Sequence, residues 1–216
     1  MRLFIIFLLL PLYPFCQNQM VSKSDGTAMV SSRYERIEGT PYLSDRYAEC
    51  QLKYWQSQKI LTFNTARFDA YKQCLEYIDE KGALKVLGAK HIQEFVLDGK
   101  IFRCGYEPVE ALQRTDFVQV LYEGKIQLLK LNKTKLDTEM VFGSVSNPSR
   151  FTPEEFYFLK DEQQTRRIKP FNLKWLKLLG SHEKMILDFM KTSGMKTISN
   201  EDELTAIVKY YDTLPK

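Results

Sequence analysis

The chain has 216 residues, with 31 Lys or Arg against 27 Asp or Glu, a net charge of +4. Its first sixteen residues, MRLFIIFLLLPLYPFC, hold thirteen hydrophobic residues and one charge, Arg2; the other 200 carry +3 and are about 41% hydrophobic. That balance excludes a strongly basic nucleic-acid binder and a disordered tail, and no later stretch approaches the ~20 apolar residues of a membrane span.

The amino terminus has the layout of a secretory signal peptide. Arg2 is a minimal positive region, Leu3 to Leu12 form a short apolar core, and Pro11 and Pro14 break any helix before the polar Gln17-Asn18-Gln19. Residues 1–16 are therefore expected to be removed, with the mature chain starting at Gln17. The alternative keeps Cys16 as a lipid-modified first residue, although the bulky Phe15 before it is unusual for that route. Residues 17–38 are small and polar with no periodicity and read as a flexible lead.

From Gly39 to Pro170 short runs of Tyr, Phe, Val, Ile and Leu alternate with turn residues. They predict strands near 48–55, 60–67, 71–79, 84–88, 91–98, 101–106, 115–122, 125–136 and 155–160. Asp98-Gly99 is the favoured two-residue hairpin loop, with Glu123-Gly124 and Lys81-Gly82 as further turns. Spacings this short require antiparallel neighbours, because a parallel crossover needs a dozen or more residues. Phe117, Gln119 and Leu121 are expected on one face of their strand, and Val118, Val120 and Tyr122 on the other. Residues 143–153 (GSVSNPSRFTP) read as a mobile excursion, and Thr152-Pro153-Glu154-Glu155 as one capped helical turn before the strand FYFL.

After Pro170 the period changes from two to about 3.6. Asn172 is placed to cap LKWLKLL, which Gly180 ends. Ser181 is placed to cap HEKMILDFMKTS, with Met185, Ile186, Phe189 and Met190 on one face and Gly194 closing it. Asn200 and Glu203 open a third helix with Leu204, Ile207, Val208 and Tyr211 at i, i+3, i+4 and i+7. The expected protein is α+β: an antiparallel β meander over 39–170, barrel-like or sandwich, followed by a coda of about three short helices over 171–216 packed on it.

Motifs for chemistry are absent. Two histidines, His91 and His182, cannot build a multi-histidine metal site, and no HExxH, CxxC, GxSxG or GxGxxG pattern occurs. Ser181-His182-Glu183 are neighbours in sequence, but adjacent helical side chains diverge and form no relay. His91 reads as a strand-edge residue. No catalytic, cofactor-binding or metal-ligating residue is assigned, and no cofactor is implied. Asp69, Glu76, Asp79, Glu80, Glu94 and Asp98 matter for acid–base chemistry only if a cleft gathers them. The basic stretch Arg166, Arg167, Lys169, Lys174 and Lys177, interleaved with Phe171 and Trp175, has the composition of an interfacial lipid contact, but it is too short for independent membrane binding and reads as a packed apolar face with solvated lysines. Removal of the signal leaves Cys50, Cys74 and Cys104; Cys50 with Cys74 are the candidates for a disulfide, and three reduced, buried thiols are the alternative.

The order PYLSDRYAECQLKYWQSQK, ILTFNTARFDAYKQCLEYID and HIQEFVLDGKIFRCGY resembles a group of uncharacterised exported proteins of the Bacteroidota. The similarity runs on through DFVQVLYEGKIQLLKL, EFYFLKD and the closing EDELTAIVKYYDTL, covering most of 40–214, with Phe63-Asn64 and Asp69 in an Asn-centred segment. The chain departs from the group's pattern at Cys50 and Ala66-Arg67-Phe68. The resemblance implies export and a β-then-α layout; it carries no activity and no site residue. The leading expectation is a non-enzymatic periplasmic, outer-membrane-associated or secreted module that binds a protein or lipid partner. The alternatives are a carboxylate-dependent hydrolase without a local motif, and a structural envelope protein.

Overall fold

The computed structural model describes residues 34, 37–55, 60–138 and 149–215. The expected signal segment, most of the expected lead and residues 143–148 of the expected excursion lie outside the described residues. Ten strands form one sheet: β1 Ala48–Tyr54, β2 Ile60–Asp69, β3 Cys74–Ile78, β4 Leu84–Leu87, β5 Ile92–Leu97, β6 Lys100–Arg103, β7 Val118–Glu123, β8 Gln127–Thr138, β9 Ser149–Lys160 and β10 Thr165–Ile168. Every strand pair in it is antiparallel.

The three expected turns form, each by a different device. Asp98 and Gly99 both adopt positive φ, 50° and 71°, so Leu97 pairs with Lys100 across a two-residue loop. The Lys81-Gly82 turn is held by Asp79, whose carboxylate accepts from the backbone N–H of Lys81 and Ala83. Glu123 pairs with Gln127 across the loop Gly124-Lys125-Ile126.

The sheet order is β10-β9-β8-β7-β6-β5-β1-β2-β3-β4, so the meander expected from the short spacings is broken once. β5 does not follow β4; it returns to the free edge of β1. In a flat sheet β4 and β5 would stand four spacings apart, about 19 Å. The five chain steps from Leu87 to Ile92 reach at most about 18 Å, and part of that connection is a tight turn closed by Gly88. The sheet must therefore curl. The curl wraps Phe68 of β2 against Phe95 of β5 and Phe102 of β6, with ring centroids 5.6 and 5.5 Å away, and Phe117 closes the cluster. β4 and β10 do not pair with each other, so the architecture is a curled open sheet, not the barrel or sandwich expected.

Strands β7–β9 are covered on both faces, which explains the continuous apolar run LLKL in β8. Leu129, Leu131 and Phe158 pack beneath Tyr106 and Leu112 of the long β6–β7 connection. Leu128, Tyr157 and Leu159 pack beneath the coda. A bulge between Val120 and Tyr122 adds Leu121 to its strand. Beyond it the expected alternation fails, and Leu121 and Tyr122 both pack toward the coda.

Three further expectations are corrected. Thr152-Pro153-Glu154-Glu155 is not a helical turn, because β9 runs unbroken from Ser149 and every residue of it pairs with β8. Proline is tolerated there because β10 reaches only to Tyr157, leaving the other edge of β9 free at Pro153. Arg166 and Arg167, read as part of a basic stretch, lie in the unforeseen strand β10, where Arg166 pairs with Asp161 and Arg167 with Glu110. The expected strand over 71–79 starts only at Cys74, since 70–73 form the β2–β3 turn with Gln73 at φ 53°.

The coda holds two α-helices rather than three. Leu173–His182 is a 3-10 helix, capped by the Asn172 side chain as expected and interrupted at Gly180, whose φ is 62°. Then come α1, Glu183–Thr192, and α2, Glu201–Thr213. Ser181 does not cap α1; His182 occupies that position without a side-chain bond. On α1 only Ile186 and Met190 of the expected stripe are buried. Phe189 stacks on Tyr210 at 4.2 Å, and Met185 is 42% exposed. Asn200 caps α2 by accepting from Glu203 N–H, and the Glu203 carboxylate accepts from Ser199 N–H. Leu204, Ile207 and Val208 are buried, with Tyr211 half-buried beside them.

The end of the lead is fastened to the sheet. Glu38 bridges Arg150 in β9, Tyr42 bridges Asp69 at the end of β2, and the Tyr34 hydroxyl donates to Asp69. Cys50, Cys74 and Cys104 are all buried, and no Cys50–Cys74 bridge forms, which leaves the alternative of reduced, buried thiols. Cys50 stands opposite Phe63 and Cys74 opposite Asp69. The six chain steps of strand from Phe63 to Asp69 keep the two cysteines roughly 20 Å apart along the sheet, far beyond disulfide reach. Burial pushes the Cys50 thiol up to about 12 and that of Cys104 up to about 11. A chain beginning at Gln17, denatured and unreduced, is therefore expected to titrate three thiols, and the same chain when folded to react far more slowly. A count of one would restore the bridge.

Candidate functional site

The acid–base reading required a cleft gathering Asp69, Glu76 or Glu94. The fold instead ties each one down separately. Asp69 is fully buried and accepts from Tyr71 N–H, Lys72 N–H and the Tyr34 hydroxyl, which makes it the pin of the β2–β3 turn. Glu76 faces Arg67 across the β2–β3 ladder and accepts from its guanidinium at 3.1 Å. Glu94 accepts from Arg103, which also holds Glu123. Asp79 builds its own turn. Among the described residues no group of three His, Cys, Asp or Glu is placed to hold a metal ion.

A cavity of about 250 Å³ opens elsewhere, where the coda meets the ends of the β7–β8 and β9–β10 hairpins. Its apolar lining comes from Ile126, Leu159, Leu178, Leu179 and Leu214. Ile126, Leu159 and Leu179 are buried, whereas Leu178 stays 42% exposed. The rim is polar: Lys125 from the β7–β8 loop, Asp161 and Glu162 from the β9–β10 turn, Arg166 from β10, His182 from the 3-10 helix and Asp212 from α2.

Two carboxylates build the walls. Asp212 accepts from the backbone N–H groups of Lys125 and Ile126, both at 3.2 Å, and from the Tyr122 hydroxyl at 3.0 Å, which locks the β7–β8 hairpin to α2. Asp161 accepts from Gln163 and Gln164 N–H and from Arg166. Burial alone would raise its carboxyl, but those donors outweigh it and hold Asp161 below the usual range. Arg166 also donates to the Leu178 carbonyl, tying β10 to the 3-10 helix. A His182 ring nitrogen lies 2.8 Å from the Pro215 carbonyl, and the imidazole meets Tyr211 edge-on. His182 thus fastens the chain end and has no partner in Ser181 or Glu183 for a relay.

Gly124 is required by this lock. A Cβ there would fall within contact distance of the Asp212 carboxylate and 2.8 Å from the Tyr122 hydroxyl. Replacing Asp212 with Ala leaves three donors without their acceptor, at a cost of about 1–3 kcal/mol. Thermal unfolding of Asp212→Ala should fall by several degrees. Gly124→Ala should also destabilise the chain, but should add less in the Asp212→Ala background, where the carboxylate is gone and only the Tyr122 hydroxyl, released from it, must move.

Nothing local in the sequence marked this cavity. Its lining comes from four separate segments, and Asp212 lies 86 residues from Ile126, which it binds. The usable signals were a glycine in the β7–β8 turn and a lone acidic residue in the last turn of a helix, where cations are favoured. Compared with known proteins, the chain matches no family model, no curated protein and no solved structure. The functional reading therefore rests on the geometry.

Proposed function

We propose that the chain is a non-enzymatic exported module of the periplasm or outer membrane, related to the Bacteroidota group it resembles, that seats an apolar group of an envelope protein or lipid in the cavity under its coda. The supporting observation is the cavity itself: an apolar floor open to solvent at Leu178, with two rim carboxylates, Asp161 and Asp212, already bonded to donors of the fold. Sites that take an anchor have this form, a small desolvated pocket ringed by polar groups that fix orientation. At about 250 Å³ it is smaller than the ~300–1,000 Å³ of drug-sized sites, so it suits one anchoring group rather than a whole lipid. The hydrolase alternative has less support, because each carboxylate that reading depended on is bonded within its own turn or ladder. Export is supported by the composition of residues 1–16.

The test compares the chain with a Leu178→Arg variant, which blocks the mouth from an exposed position. Envelope proteins and lipids retained by the first are expected to be lost by the second at unchanged melting temperature. Equal retention by both would remove the cavity from the function. Recovery of the native chain in the cytoplasmic fraction would remove export.

A further inference from the structure

We infer that the outer surface of the coda docks on an anionic lipid bilayer, with its lysines against the headgroups and its exposed apolar side chains between them. This rests on the envelope reading above and names the surface that meets the envelope. From Lys169 to Lys196 the chain carries six lysines, Lys169, Lys174, Lys177, Lys184, Lys191 and Lys196, against two carboxylates, Glu183 and Asp188. That excess of four positive charges equals the net charge of all 216 residues, so the rest of the chain is neutral as a whole. All six lysines are exposed, and none forms an ion pair among the described residues. Arg166 and Arg167, just before them, are taken by Asp161 and Glu110. At the cavity rim Lys125 and Glu162 offset each other.

Charge alone suits any polyanion; the apolar side chains select a bilayer. Of the ten large hydrophobic residues exposed among the described residues, Phe171, Leu178, Met185 and Leu187 fall in this one segment, each at least 41% exposed. The 3-10 helix buries Trp175, Leu176 and Leu179, and α1, which packs beside it, buries Ile186 and Met190. Those five side chains enter one core, so the opposite sides of both helices form the outer surface of the coda. On α1 that side carries Lys184, Leu187, Asp188 and Lys191 at i, i+3, i+4 and i+7. On the 3-10 helix, with three residues per turn, Lys174 and Lys177 stand in one row. The basic run read from the sequence is too short to hold a membrane by itself, and folding extends it by setting α1 alongside. Surfaces that lie in the headgroup layer have this composition. Leu178 is also the cavity mouth, so a docked chain presents the cavity to the bilayer.

The experiment measures co-sedimentation with vesicles of pure phosphatidylcholine and of phosphatidylcholine mixed equally with phosphatidylglycerol. The chain used begins at Gln17, so that the apolar residues 1–16 cannot anchor it. Binding is expected to the mixed vesicles and not to the neutral ones, with release in ~1 M salt, where the Debye length is about 3 Å. Lys184→Gln with Lys191→Gln should weaken binding about 25-fold at unchanged melting temperature, roughly fivefold for each charge. Asp188→Asn removes the carboxylate between them and should tighten binding about fivefold. Leu187→Ser should weaken it severalfold. If Leu187→Ser changes nothing and polyglutamate competes the vesicles away, the surface is a general polyanion site and the inference falls. Leu178→Arg separates the surface from the cavity, because it blocks the mouth while adding a positive charge. Vesicle binding should persist in that variant; its loss would put the contact inside the cavity and overturn the surface. No binding to mixed vesicles, or binding indifferent to the lysine changes, also overturns the inference. Either result leaves the cavity reading standing, since retention by Leu178→Arg decides that separately.

Discussion

A chain stopped after Pro170 is expected not to fold. The coda contributes Trp175, Leu176, Leu179, Ile186, Met190, Ile198, Leu204, Ile207 and Val208 to one core with Ile126, Leu128, Tyr157, Leu159 and Ile168 of the sheet. Each fully buried side chain of this kind contributes roughly 1.5–3 kcal/mol, so the nine from the coda are comparable to the whole of the typical 5–15 kcal/mol net stability of a domain, even allowing for area already hidden in the unfolded chain. Truncation also strands polar groups. Lys130, 8% exposed, pairs with Glu155 and Glu201, and the Tyr157 hydroxyl donates to Glu201. Without α2, Lys130 keeps one acceptor and β8 presents its apolar face to water. Isolated helices of ten and thirteen residues are themselves marginal, so the coda gains its order from this contact. The expected result is loss of cooperative thermal unfolding together with aggregation. A truncated chain that stays soluble and melts at the temperature of the untruncated protein would make the coda an independent arm.

The strands were legible where the determinants were local. Asp98-Gly99 requires two left-handed residues, and only such pairs close a two-residue hairpin easily, so β5 and β6 could be read from the sequence. Asn172 and Asn200 announced their caps for the same reason. Illegible features depended on distant partners. The return of β5 to β1, which forces the curl, leaves no trace in the spacing between strands. The bulge at Leu121 is invisible until β8 supplies the opposing register. Thr152-Pro153 carries a strong local helix-start pattern, and twelve residues of ladder with β8 override it. β10 was missed because Thr-Arg-Arg-Ile is short and polar, and its arginines are explained only by Asp161 and Glu110. The cavity belongs to the same class, since its lining gathers only after β7–β10 and the coda have assembled.

Arg67→Met is expected to cost about 3–5 kcal/mol, because it leaves a buried carboxylate without its cation. Glu76 is 1% exposed, and Arg67 stands directly opposite it, donating through Nε at 3.2 Å and through a terminal nitrogen at 3.1 Å. The guanidinium also lies on the Tyr42 ring at 3.6 Å and over Tyr47 at 4.7 Å, so the strap that enters the sheet is stacked on the same group. In the variant only the Tyr42 hydroxyl, 3.2 Å away, remains to satisfy Glu76. The double change Arg67→Met with Glu76→Met removes both charges and should recover most of the loss, since a buried ion pair replaced by apolar side chains of similar volume is often neutral or stabilising. Denaturant unfolding of the two single variants and the double variant measures the coupling directly. A single-variant loss below about 1 kcal/mol would show that Glu76 reaches water and that the pair is an ordinary surface contact.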